Sequence, residues 1–176
     1  METHLALMSY NHNKKIRNDI VLIAFLSALL VVAKEALSLV PNVEVVTLLL
    51  IVYTRLLGFK KAIYITFIFT TIQALIYPPH LWIITYFLIW PILVVGSAII
   101  LNFTSSNITL AIWAAIFGLS FGAFDSLILS FVYGFHTFIP IWIRGLPWDL
   151  VHGFSNYLTV LLLFEPLSRN IKKLIF

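Results

Sequence analysis

Three tight clusters of cations divide an apolar chain that is otherwise almost uncharged. Lys14, Lys15 and Arg17 precede the first apolar run, Arg55, Lys60 and Lys61 follow the second, and Arg169, Lys172 and Lys173 stand near the last residue; together they are nine of the eleven lysines and arginines. Membrane proteins keep such clusters in the cytoplasm. Cations at the start, after an even number of runs and at the end therefore predict a multispanning protein with both ends inside. With 61% hydrophobic and 10% charged residues, the chain has too little polar surface to coat a water-soluble domain. A span takes roughly 20 apolar residues to cross about 30 Å of hydrocarbon, so 176 residues accommodate about six spans joined by short connections.

The expected fold is an all-α membrane protein, a compact bundle of six transmembrane helices with both termini cytoplasmic. Residues 1–18 form an N-terminal cytoplasmic tail, 19–166 the six-helix domain and 167–176 a basic C-terminal tail. The isoelectric point near 9.4 does not indicate nucleic acid, because the cations flank apolar runs where anionic lipid headgroups or a cytoplasmic protein meet them. No cysteine is present, which excludes disulfides, Cys-ligated metals and thiol catalysis.

Proline, glycine and asparagine punctuate the runs. The first span, from about Asp19 to Val40, ends at Pro41-Asn42. The second, from about Val43, is short for a crossing and ends at Leu57, before Gly58. The third runs from about Lys61 to Tyr77 and is closed by Pro78-Pro79-His80. The fourth runs from Leu81 to about Leu101 with Trp82, Tyr86 and Trp90 near its start, where aromatic rings favour the membrane interface. The fifth extends from about Ile108 to Tyr133, followed by an outer segment from Gly134 to Gly145. Pro147 suits the first turn of the sixth helix, which continues to about Phe164 before Pro166. Within the fifth, Gly118 and Gly122 form a small-x-x-x-small pattern that permits close helix approach, by packing inside the bundle or against a second copy.

Ionisable residues inside spans are costly and usually face the bundle interior or an aqueous cavity. Here they favour one side. Lys34 and Glu35 lie in the last turns of helix one, Glu44 opens helix two, Gln73 and Tyr77 end helix three, and Asp125 lies in the outer half of helix five. Arg144, Asp149 and His152 surround the start of helix six. With Asn42, His80, Tyr86, His136 and Trp148 from the same side, they form the candidate substrate-binding set, lining a cavity that opens outwards. Each has a plainer role open to it: Lys34 and Glu35 can snorkel, Arg144 can bind lipid phosphate, and Asp149 can cap a helix.

Catalytic and energy-coupling chemistry find little footing. Asp149 and His152 share a helix face and suit a metal or acid/base pair, but a closed zinc site takes about four ligands, and no metal is expected. Ser120 does not stand in a G-x-S-x-G elbow, and Gly58-Phe-Lys60-Lys61 lacks the phosphate-cradling loop of an ATPase. No catalytic residue is assigned and no cofactor is expected. An intramembrane enzyme using Asp125, Asp149 and His152 stays open as an alternative, as does a secondary transporter, although no internal repeat is visible.

The pattern resembles the substrate-binding S component of an energy-coupling factor (ECF) vitamin transporter. The resemblance is carried by the size, the six spans and the outward polar bias, by Ala24-Phe-Leu-Ser-Ala28 on helix one, and by three longer stretches. These are Lys34 to Glu44, Leu119 to Phe124 and Gly145 to Asn156, which are similar to a subgroup from Gram-positive bacteria and most nearly to its cobalamin-type members. The resemblance implies a cell-membrane subunit that captures a vitamin, cobalamin or a related corrinoid, from outside. It also implies docking on a transmembrane coupling protein (EcfT-type) served by two cytosolic ATPases. Ala24 and Ala28 would then give that coupling protein a close-packing surface, their alternative use being packing within the bundle. Another vitamin in the same transporter class is the variant reading.

Overall fold

The computed structural model describes residues 2–40 and 43–175, with side chains described from residue 14 onwards. Pro41 and Asn42, expected to form a turn and, for Asn42, to bind ligand, lie outside the described residues. The described chain is all-helical: α1 (Glu2–Ala36), α2 (Val46–Leu57), α3 (Phe59–Ile76), α4 (Trp82–Phe103), α5 (Asn107–Tyr133) and α6 (Phe138–Ile175), with a 3₁₀ turn at Phe135–Thr137. Five of these helices are long and apolar enough to cross a membrane; α2 is the exception.

Local chemistry explains most of the boundaries. Gly58 has φ +81°, a conformation open to glycine and strained for other residues, and it lets α2 turn directly into α3. α3 stops before Pro78, since proline disfavours helical geometry in the residue it follows. The Ser106 side chain accepts from the Thr109 amide at the start of α5, as helix-opening serines do.

Three boundaries differ from the sequence expectation. α1 begins at Glu2, so helix runs through the segment read as a tail. α2 begins at Val46 rather than Val43. The stretch read as an outer segment is mostly helix: α6 starts at Phe138 and passes through both Pro147 and Pro166, the residues expected to start and stop it. A proline inside a helix removes one backbone bond, a loss that membrane helices tolerate when neighbouring groups satisfy the freed carbonyl.

α2 is the hub. Its residues Val46 to Thr54 are all buried, as an apolar helix without a polar face must be, and it packs against α3, α4 and α6. Thr47 accepts a hydrogen bond from the Asn156 amide of α6 at 3.2 Å. The longest shared interface joins α5 and α6. A side-chain carbon at Gly118 would lie 2.8 Å from the Gly153 backbone, and one at Gly122 would collide with the Asp149 carboxylate. Gly118 and Gly122 thus serve packing inside the bundle, one of the two uses open to them from sequence.

Ion pairs fix which ends coincide. Lys61 pairs with Asp19, joining the middle of α1 to the start of α3, while Arg55 pairs with Glu165 at 2.8 Å and Arg169 with the same carboxylate at 3.1 Å. The three cationic clusters therefore share one end of the bundle. Lys34, Glu44, Tyr77, Trp82 and His152 gather at the other.

Candidate functional site

At the end opposite the cations lies a partly open cavity of about 450 Å³. Its origin is a difference in length. A 12-residue helix rises about 18 Å, well short of the roughly 30 Å of hydrocarbon that its neighbours are long enough to cross. The space above its first turn stays unfilled. Val43, Glu44 and Val46 form the floor, with Leu37, Ser38 and Val40 on the α1 side.

The α4 wall is aromatic. Trp82, Tyr86 and Trp90, spaced four residues apart, fall on one face of α4, which is the face that meets the cavity. Their rings pack edge-to-face at 4.8 Å and 5.3 Å between centroids, and Tyr77 meets Trp82 in the same way at 5.7 Å. Phe121 of α5 extends this wall and contacts the His152 ring at 5.2 Å. Trp82 and Trp90, expected as headgroup anchors with Tyr86, are cavity residues. Their four-residue spacing was the signal.

The polar side has two groups. In the first, Lys34 donates to Tyr77 Oη at 2.8 Å and to Glu35 Oε1 at 3.0 Å, Tyr77 donates to Glu35 Oε2 at 2.6 Å, and Gln73 Nε2 donates to Glu35 Oε1 at 3.2 Å. Lys34 also lies 4.2 Å from the centre of the Tyr77 ring. This closed network ties the end of α1 to the end of α3. In the second, Glu44 Oε2 accepts from the Thr47 amide at 2.9 Å, and Glu44 Oε1 faces His152 Nε2 at 3.3 Å. Glu44 thus caps α2 with a carboxylate, the sign that a helix N-terminus favours.

Burial alone would raise the Glu44 pKa, but the His152 contact and the Thr47 hydrogen bonds outweigh it and hold the carboxyl below its ordinary value. A lowered pKa means that the carboxylate contributes stability at pH values above the ordinary range. That contribution is lost as pH falls through the lowered value.

Five residues of the expected set line the cavity: Lys34, Glu44, Tyr77, Tyr86 and His152. Four more stand close behind them or brace the helices. Glu35 and Gln73 hold Lys34 and Tyr77 in place. Asp125 accepts from the Thr85 hydroxyl at 2.6 Å, tying α5 to α4, and Asp149 accepts from the Gly122 amide at 3.0 Å, tying α6 to α5. His80, His136, Arg144 and Trp148 are exposed and do not line the cavity. Among the described residues, no three His, Asp or Glu side chains converge as metal ligands.

Ala24 and Ala28 are exposed on α1, on one ridge with Ile20, Val32 and Ala36 at four-residue intervals. They do not pack into the bundle. No family model matches the chain, and neither a curated protein nor a solved structure is significantly similar to it.

Proposed function

We propose that the chain is the substrate-capturing S component of an ECF-type vitamin transporter, embedded in the cell membrane. Support comes from one juxtaposition: an amphipathic cavity at one end of an apolar helical bundle, and every cationic cluster at the other. If the cationic end faces the cytoplasm, as the positive-inside rule requires, the cavity opens outwards, where a nutrient is captured. The chain carries no phosphate-cradling motif, so ATP-driven movement falls to a separate coupling protein and its ATPases.

Cobalamin or a related corrinoid is the ligand that the subgroup resemblance implies. The cavity falls within the range of roughly 300 to 1,000 Å³ that encloses drug-sized ligands. A smaller vitamin fits inside it; a corrinoid would seat only part of itself there. The intramembrane-enzyme reading draws less support, since Asp125 and Asp149 are engaged in bonds between helices.

The deciding experiment purifies the chain in mild detergent, identifies co-purifying small molecules by mass spectrometry, and measures uptake of the identified compound in cells that supply ECF coupling subunits. A bound vitamin, with uptake that requires the chain, is the expected result. A ligand-free protein that hydrolyses lipid or peptide would sink the proposal. Replacing Ala24 or Ala28 with Trp should leave ligand binding within about twofold and abolish uptake and recovery of the complex, because bulk on that ridge blocks close helix approach. Unchanged complex recovery would remove those two residues from the coupling surface.

A further inference from the structure

We propose that the cavity selects an organic cation, namely a flat, positively charged heteroaromatic compound. This deepens the transport proposal, resting on it for the direction of movement; the ligand's charge can be measured on the chain alone.

Both features of the cavity that would attract an anion are already occupied by the chain's own carboxylates. Lys34 is held by Glu35 and Tyr77 at 3.0 Å and 2.8 Å. The first turn of α2, whose amides would otherwise receive an anionic ligand, is capped by Glu44 through the Thr47 amide. Lys34, Glu35 and Glu44 sum to one negative charge, and His152 Nε2 stands 3.3 Å from the Glu44 carboxylate. An incoming anion would meet a carboxylate with no free cation to offset it.

The aromatic wall has the complementary preference. Trp82, Tyr86 and Trp90 line the same space as Glu44, and aromatic faces attract cations, most strongly when desolvated. Flat heteroaromatic cations present a broad face to such rings and spread their charge, which lowers the cost of leaving water.

Three probes of nearly one shape and three charges test this on the purified full chain by equilibrium dialysis: 1-methylnicotinamide (cation), nicotinamide (neutral) and nicotinate (anion). The cation is expected to bind about tenfold more tightly than the neutral amide, in line with a cation–aromatic contact strengthened by a carboxylate, and the anion most weakly. Glu44→Gln keeps an oxygen for the Thr47 amide and should erase the preference for charge.

Binding of nicotinate or nicotinamide as tight as that of the cation, or no cation binding at millimolar concentration, overturns the inference, as does a charge preference that survives in Glu44→Gln. Should that variant fail to fold, the three-probe comparison on the natural chain still decides. A co-purifying vitamin that is anionic and taken up with ATP would overturn the cation inference and leave the transport reading standing. A clear cation preference with no uptake through any coupling module would do the reverse.

Discussion

Single side chains settle the character of the cavity, and Tyr77 is the most connected of them. Its hydroxyl accepts from Lys34 and donates to Glu35, so it passes charge compensation between two residues adjacent in sequence. Tyr77→Phe should lower the melting temperature in detergent by an amount equivalent to about 1 kcal/mol, the scale of a hydrogen bond to a partly solvated charge. Lys34→Met should cost more, because it leaves the Glu35 carboxylate without its cation. Equal effects of the two would argue against the bridge. The sequence marks Lys34, Glu35, Gln73 and Tyr77 as polar residues near the outer ends of two helices, but not as one network. The contacts join positions 38 to 43 apart in the chain, and helix ends carry such residues for several other reasons.

Helix-scale chemistry was legible where it is local and hidden where it depends on neighbours. The stop before Pro78 and the turn at Gly58 follow from backbone restrictions that any chain obeys. Pro147 and Pro166 follow the same restrictions in isolation, yet the structure carries α6 through both. The two glycines of α5 could be read as a close-packing surface, but which helix they received was decided only by Gly153 and Asp149 on α6. Gly118→Ala, whose new carbon meets backbone that cannot move aside, should destabilise the bundle by about 1–3 kcal/mol. Gly145→Ala on α6 meets open space and should stabilise by up to about 1 kcal/mol through helix propensity. Thermal unfolding of the two variants in one detergent checks both signs.

Across the whole molecule, the distribution of cations predicted that three distant segments share one end, and the pairs Asp19–Lys61 and Arg55–Glu165 unite them. Which compartment that end faces is open to direct measurement, since the chain has no cysteine. In intact cells, a membrane-impermeant maleimide should label Pro79→Cys and leave Lys60→Cys untouched until the membrane is permeabilised; the opposite pattern would invert the topology. The shortness of α2 has a further bearing on the cavity. The walls from α4, α5 and α6 are continuous helices that run past the floor, so the depth of the void is set by where α2 begins. One more turn on α2, about 5.4 Å, would plug the space altogether. The cavity is thus set by where one short helix begins rather than by any single lining residue.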